Sequence, residues 1–167
     1  MSLPNTYTDV NETGCCAIPD VDAWRDKVVT FENKKFIRME SSSVFFVPRN
    51  LDKIMTQIQQ AATDALAYPA PTQVMTLSRD LSPWKSEQLF AVTKEVDGVS
   101  NVILDGTFAT KVFEGPYKNA RDWYLAMQNY AKELGHQASE VYLFYTTCPK
   151  CAKHYGKNYT IGLAKLD

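Results

Sequence analysis

Four cysteines are the residues of this chain whose spacing points most directly to chemistry. Cys148 and Cys151 form a C-x-x-C pair, and His154 follows three residues later. The other two, Cys15 and Cys16, are adjacent near the N-terminus. Thiolate sulfur and imidazole nitrogen are the usual ligands of tetrahedral zinc. Cys148, Cys151 and His154 therefore predict three metal ligands within a short reach, and Cys15 or Cys16 would complete the site across the chain.

The same spacing leaves two other interpretations open, redox chemistry and reduced thiols without a special role. Lys150 and Lys153 flank Cys151 and would lower the pKa of nearby thiols, which raises their reactivity. Covalent haem is excluded because Ala152, and not a histidine, follows Cys151. A thioredoxin-like role is not favoured, because the pair is predicted to lie in a loop between two hairpin strands and not at the start of a helix.

Glu114 is the carboxylate best placed for acid–base chemistry, since it lies where a predicted strand passes into a predicted helix. There it would activate a water molecule or pair with a cationic ligand. The alternative is that it stabilises the helix entrance at the surface. Glu87 and Glu95 bracket another predicted strand, and we expect both to be solvated. No paired-carboxylate spacing is evident.

Two common catalytic designs have no support in the sequence. A Ser-His-Asp hydrolase is not indicated, because there is no G-x-S-x-G motif. The two histidines, His136 and His154, also lie in turn-like sequence without the Ser and Asp frame of a catalytic triad. There is no glycine-rich phosphate-binding loop either.

The second half of the chain is rich in aromatic residues, with seven of the nine tyrosines at or after Tyr117. Aromatic side chains with a polar group suit a pocket for a flat or cationic organic molecule, but they also fill helix–sheet cores. The predicted ligand-binding residues are Phe46, Trp84, Phe113, Tyr117, Trp123, Tyr142 and Tyr145. In a hydrolytic variant of this hypothesis Glu114 activates water and a tyrosine, Tyr145, polarises the leaving group.

The elements that would position these residues are clearest in the second half. Residues 108–113 alternate as a strand does, and a Glu-Gly-Pro break follows. A helix is predicted from Asn119 to Gly135, because apolar residues recur there at steps of three and four. Two strands, 141–145 and 159–165, follow and are joined by a polar loop that contains the C-x-x-C pair.

The first half repeats this order without repeating the sequence. A strand is predicted at 43–47, a helix at 51–66, and two further strands at 73–77 and 87–93 around the loop 79–85. Each half is thus a strand-helix-strand-strand module, with the first at 38–96 and the second at 102–167. Residues 1–37 match neither module.

The whole chain, 1–167, is expected to be a single domain, because 45% of its residues are hydrophobic and its length suits one core. Residues 1–37 would form an N-terminal arm that lies on the body of the domain, since apolar anchors such as Trp24, Phe31 and Phe36 are frequent in it. Residues 96–101 form a turn-rich linker between the modules.

Charge and hydropathy narrow the range of partners. The formal net charge is −1, which gives no electrostatic footprint for nucleic acid. No apolar run approaches membrane-spanning length, and the N-terminus lacks a basic-then-apolar signal. We therefore expect a cytoplasmic protein whose partner is a small organic molecule and not a nucleic acid or a membrane. No cofactor other than zinc is indicated.

The phrase Lys111-Val112-Phe113-Glu114-Gly115-Pro116-Tyr117, the aromatic helix after it and the strand Glu140-Val141-Tyr142-Leu143 resemble the GyrI-like small-molecule-binding family. Its members also occur as effector-binding domains of bacterial transcription regulators. The resemblance covers residues 108–145 specifically. It does not explain the residues before Phe36, and the cysteine-containing loop departs from the family pattern.

This resemblance implies an α+β fold of two βαββ (SHS2-type) modules related by a pseudo-twofold axis, with a mostly antiparallel sheet. It also implies a ligand cleft between the two helices that is lined by aromatic residues and an acidic group. Some stand-alone members of the family are similar to hydrolases of strained, cyclopropane-bearing electrophiles. There is no helix-turn-helix sequence here, so a DNA-binding regulator is not expected. The leading hypothesis is a stand-alone small-molecule-binding domain, with a hydrolase and a zinc- or redox-linked protein as alternatives.

Overall fold

The computed structural model describes residues 3–166, apart from the side chain of residue 149. The described part of the chain contains seven strands and three α-helices. The strands are β1 (Lys27–Val44), β2 (Val47–Pro48), β3 (Thr76–Ser82), β4 (Lys85–Ala91), β5 (Ser100–Glu114), β6 (Ala138–Tyr145) and β7 (Tyr159–Leu166). The helices are α1 (Leu51–Asp64), α2 (Ala120–Glu133) and α3 (Pro149–Tyr155). The fold is therefore mixed α/β with a mostly antiparallel sheet, as the sequence predicts at this level.

The chain divides into two compact units, and the division falls inside the long strands β1 and β5. The central unit comprises Glu32–Ala70 and Val74–Asp105. The terminal unit comprises the residues up to Phe31, Pro71–Gln73 and the residues from Gly106 onward.

In the central unit β4 is flanked by β1 and β3. Strand β1 pairs antiparallel with β4 from Phe36↔Ala91 to Ser42↔Lys85, and β3 pairs antiparallel with β4. Helix α1 turns its buried residues Ile58 and Ala62 toward this sheet. They meet a cluster whose other buried members are Ile37, Ala67, Phe90, Val92 and Val96.

In the terminal unit β7 is flanked by β5 and β6. It pairs antiparallel with β5 from Phe108↔Lys165 to Glu114↔Tyr159, and with β6 from Ala138↔Leu166 to Tyr145↔Thr160. Helix α2 packs through Met127 and Ala131 against Val141 and Ala164. The central position of β7 beneath the helix is Gly162, where an added Cβ would lie 2.6 Å from the Met127 Sδ. Glycine is what lets the helix approach this strand so closely.

The N-terminal segment belongs to the terminal unit and is anchored to it by buried side chains. Tyr7 and Pro19 form a β-bridge that closes the segment on itself. Trp24 is fully buried, its indole nitrogen donates to the Asn5 carbonyl at 2.9 Å, and its own carbonyl accepts from the Thr110 hydroxyl at 2.6 Å. These contacts hold residues 5–24 in a defined path.

The structure corrects three secondary-structure predictions. Strand β1 begins at Lys27, inside the segment that was expected to be an arm, because a polar run at 32–35 conceals the alternation of the strand. Strand β3 extends to Ser82, so most of the predicted 79–85 loop is strand. The third correction concerns the polar loop between β6 and β7, which contains helix α3. No helix in the described residues is both long and apolar enough to cross a membrane.

Candidate functional site

The four cysteines meet in the terminal unit. Cys148 directly precedes α3 as its N-cap residue, and Cys151 lies in the first turn of that helix. The N-terminal segment brings Cys15 and Cys16 to the same place. All four Sγ atoms lie within 4.8 Å of one another. The sequence predicts that either Cys15 or Cys16 joins the C-x-x-C pair, whereas in the structure both lie beside it.

The C-x-x-C pair thus follows a strand and opens a helix. The prediction that the pair lies in a loop, on which the argument against a thioredoxin-like role depended, is therefore wrong. The misleading signal is the polar composition of 150–158, which conceals a helix of seven residues that ends at Gly156 in the left-handed conformation.

The segment that carries Cys15 and Cys16 is organised by side-chain hydrogen bonds. Asn11 Oδ1 accepts from the Gly14 backbone at 2.8 Å, and Thr13 Oγ1 accepts from the backbones of Cys15 and Cys16 at 3.2 and 3.3 Å. From α3, the Tyr155 hydroxyl donates to the Cys16 carbonyl at 2.8 Å. The segment is thereby held in a turn beside the helix.

The thiols are electrostatically unequal. Burial raises the pKa of the Cys151 thiol, but hydrogen bonds from Thr13, Cys148 and Cys16 outweigh it and hold that pKa at about 7. The Thr13 hydroxyl is 3.2 Å from the Cys151 Sγ. For Cys16 burial dominates and raises the pKa above its usual range. Burial also raises the pKa of Cys15, the most exposed of the four. Cys151, which is fully buried, is thus more prone to ionise than Cys15 or Cys16.

His154, the third metal ligand in the sequence prediction, is not among these four clustered side chains. Its Nε2 lies 3.2 Å from Glu12 Oε1, and both side chains are about half exposed. A step of three residues on α3 turns by about 300°, so the two side chains are neighbours without pointing in the same direction, and His154 pairs with Glu12 instead.

Glu114 lies at the end of β5 in a shallow, open groove of about 500 Å³. The groove is lined by Glu114, Gly115, Pro116, Ala152, Lys153, Gly156, Lys157 and Asn158. Lys157 Nζ is 3.2 Å from Glu114 Oε1 and half exposed, as the carboxylate is. The interaction with Glu114 raises the pKa of Lys157, which keeps the amine charged. Sequence reasoning found Glu114 but did not place Lys153 and Lys157 beside it, because neither α3, which carries Lys153, nor the turn after α3, which carries Lys157, was predicted.

The groove floor is held by a reciprocal pair of contacts between two loops. The Asn158 amide nitrogen donates to the Gly115 carbonyl at 2.6 Å, and the Gly115 backbone donates to the Asn158 carbonyl at 3.2 Å. Gly115 has φ +123°, a conformation that side-chain-bearing residues rarely adopt. The backbone at Glu114 is therefore held by the β5 pairing before it and by the Gly115–Asn158 hydrogen bonds after it.

The predicted aromatic residues occupy several separate environments. In the terminal unit Phe113 stacks on the buried Trp123 with centroids 5.6 Å apart, and Tyr117 meets Tyr145 edge to face at 4.8 Å. Tyr142 is buried, and its hydroxyl donates to the Glu140 carboxylate. Trp84 and Phe46 belong to the central unit, where the Trp84 side chain is half exposed and Phe46 has a positive φ.

Tyr117 and Tyr145 lie beside the residues that lead to the cysteines. The Tyr117 hydroxyl donates to the Thr147 carbonyl, next to Cys148, and burial raises the pKa of Tyr117. Thr160 on β7 is the cross-strand partner of both Tyr145 on β6 and Phe113 on β5. Side chains alternate along a strand, so Glu114 emerges on the opposite face of the sheet from Tyr145.

Comparison with known proteins identifies a family. A family model described as "Bacterial hydrolase" matches residues 6–166, which is nearly the whole chain. A crystal structure of an uncharacterized conserved protein from Listeria innocua is similar, with a TM-score of 0.59 and 12% sequence identity over 86% of this chain and 93% of that chain. At this identity the likeness shows the fold alone. No curated protein matches the chain.

Proposed function

The chain belongs to the bacterial hydrolase family, and from that premise we propose that it hydrolyses a small organic molecule in the groove beside Glu114. The observation that carries the proposal is the half-exposed carboxylate of Glu114 opposite the Lys157 ammonium, 3.2 Å away, in a groove large enough for a small ligand. Family membership supplies the reaction class, and the groove supplies a place for it.

The two charged groups suit the two halves of a hydrolytic step. Glu114 accepts a proton from a water molecule as the water oxygen bonds to an electrophilic carbon of the substrate. The bond from that carbon to the leaving group breaks, and the electron pair remains with the leaving group. The Lys157 ammonium stabilises the negative charge that develops there. The proton held by Glu114 then passes to the leaving group, so the carboxylate is regenerated.

The lining of the groove favours a substrate that develops negative charge, because Lys153 and Lys157 both border it. The GyrI-like resemblance adds strained, cyclopropane-type electrophiles as the first class to test. That Tyr145 polarises the leaving group stays a sequence prediction. In the proposed mechanism Lys157 has that role, because it contacts Glu114 directly.

The test is turnover of a panel of esters, lactones and strained cyclopropane compounds by the whole chain and by Glu114→Gln. We expect Glu114→Gln to lower kcat by roughly a hundredfold or more, as loss of a general base does. Glu133→Gln is the matched control, since Glu133 is exposed on α2 in the same unit. Equal turnover in Glu114→Gln and Glu133→Gln would remove Glu114 from the mechanism.

A second candidate function is non-catalytic binding of a small organic molecule by a GyrI-like domain. It is supported by the repeated order of strand, helix, strand and strand, which recurs as β1-α1-β3-β4 and β5-α2-β6-β7 with β2 and α3 added. The part-buried edge-to-face pair of Tyr117 and Tyr145 is the aromatic surface such a ligand would use.

Thermal unfolding with planar cationic and polycyclic compounds tests this candidate, because a ligand that binds only the folded state raises Tm. A compound that raises Tm equally in wild type and Glu114→Gln but is never turned over would favour binding over hydrolysis. No shift across a broad panel would count against it.

A further inference from the structure

We propose that Cys15, Cys16, Cys148 and Cys151 together bind one structural zinc ion. A tetrahedral ion with Zn–S bonds of about 2.3 Å needs sulfur atoms about 3.8 Å apart. The Sγ atoms of Cys15 and Cys16 are 3.8 Å apart, those of Cys15 and Cys148 are 4.0 Å apart, and the whole set lies within 4.8 Å. The four sulfurs are therefore spaced for a tetrahedral ion.

A disulfide explains this arrangement less well. It joins two sulfurs at about 2.05 Å and leaves the other two without a reason to converge. The distances from the Cys15 Sγ to the Sγ atoms of Cys16 and Cys148, 3.8 and 4.0 Å, are far longer than that bond. Cysteines from two distant parts of the chain bring four sulfur atoms together, and four is the number of ligands in a closed zinc site.

The surroundings are those of a thiolate site. Zinc-binding cysteines are deprotonated, so four thiols release their protons and the loaded site has a net charge of −2. A hydrogen-bond donor for that charge is present in the Thr13 hydroxyl, which lies 3.2 Å from the Cys151 Sγ. Helix α3 also carries the exposed cation Lys150.

The ion would be structural and not catalytic, because four protein sulfurs leave no position for water or substrate. Its effect is mechanical. It joins the turn at 13–16 to α3, the helix that presents Lys153 to the groove and ends beside Lys157. The inference goes beyond the proposed hydrolysis and does not depend on it, because metal content is read without any substrate.

The experiment measures zinc in the full chain purified without chelator from zinc-supplemented cells, by mass spectrometry of the metal against protein concentration. We expect equimolar zinc in wild type and loss of bound zinc in Cys148→Ser and Cys15→Ser. His154→Ala is the matched control, since His154 lies close in sequence to Cys151 but outside the cluster. It should retain equimolar zinc.

X-ray absorption at the zinc edge of the wild-type protein keeps the proposal testable if a serine variant does not fold. A shell of sulfur alone at about 2.3 Å supports it, and a mixed sulfur and nitrogen shell contradicts the four-cysteine set. Loss of zinc in His154→Ala would also overturn that set. Iron in place of zinc, a disulfide among the four cysteines, or four free thiols that take up no added zinc under reducing conditions would each overturn the proposal.

Discussion

The Glu87 carboxylate accepts a hydrogen bond from Arg38 Nε at 2.5 Å, although only 6% of the Glu87 side chain is exposed. Arg79 contacts the other carboxylate oxygen at 2.8 Å. Glu87 thus lies between two guanidinium groups on the neighbouring strands β1 and β3 of the central unit. Glu87 was expected to be solvated. This expectation is wrong, because two arginines on the adjacent strands pair with the carboxylate and allow its charge to be buried.

Glu87→Gln should destabilise the protein by about 2 kcal/mol. Loss of one partner of a fully buried ion pair costs about 3–5 kcal/mol, and the two arginines here retain some contact with water. In a chain of this length the change corresponds to a Tm lower by roughly 4–8 °C, which calorimetry can resolve. Glu40→Gln is the control, since Glu40 contacts the same arginine from an exposed position and should change stability by about 0.5 kcal/mol or less. Similar losses in the two variants would contradict the special position of Glu87.

Gly162→Ala should destabilise the terminal unit by about 1–3 kcal/mol, the usual cost of overpacking a core. The added methyl group would lie 2.6 Å from Met127 Sδ and 2.9 Å from Phe113 Cε2, so α2 or the Phe113 ring has to move. Urea unfolding measures the change. In a Met127→Ala background the same substitution should cost less, because the space is then free. An equal cost in both backgrounds would show that Met127 is not the obstacle.

The long amphipathic elements were predictable because their periodicity is strong. Helix α1 starts at Leu51 as expected, and α2 falls within the predicted 119–135 range. Helix α3 was not, since it has two turns, three lysine or histidine side chains and no apolar stripe long enough to recognise. Burial of Glu87 was not predictable either, because no local pattern places two arginines around it.

The candidate sites show the same difference between local and long-range information. The C-x-x-C pair is local and indicates metal or redox chemistry by its spacing. The convergence of both Cys15 and Cys16 on it is a contact across more than a hundred residues, so sequence reasoning could name these residues only as alternatives. Glu114 was found from its place after a strand, whereas Lys157 depends on the turn that follows α3.

Tyr155→Phe should loosen the turn that carries Cys16 and lower stability by about 1 kcal/mol. The hydroxyl of Tyr155 donates to the Cys16 carbonyl at 2.8 Å and accepts from the Glu12 backbone at 3.1 Å, and both bonds are lost. Hydrogen exchange of the amides at 12–16 should become faster in this variant. His154→Ala removes a half-exposed pair with Glu12 and an edge-to-face contact with the Tyr155 ring but neither hydrogen bond of the Tyr155 hydroxyl, so it should leave that exchange nearly unchanged. Unaltered exchange in Tyr155→Phe would mean that other contacts hold the turn.

Lys157→Met should lower kcat/KM for a hydrolysed substrate by about a hundredfold, because one cation that stabilises developing negative charge is removed. Lys157→Arg should recover part of that loss, since it restores the charge but not the shape of the ammonium. Lys132→Met, on the exposed surface of α2, is the control for a general change in net charge. The measurement is steady-state kinetics with the best substrate found, together with thermal unfolding of each variant. If Lys157→Met raises KM alone and leaves kcat intact, Lys157 binds the substrate without acting in the transition state.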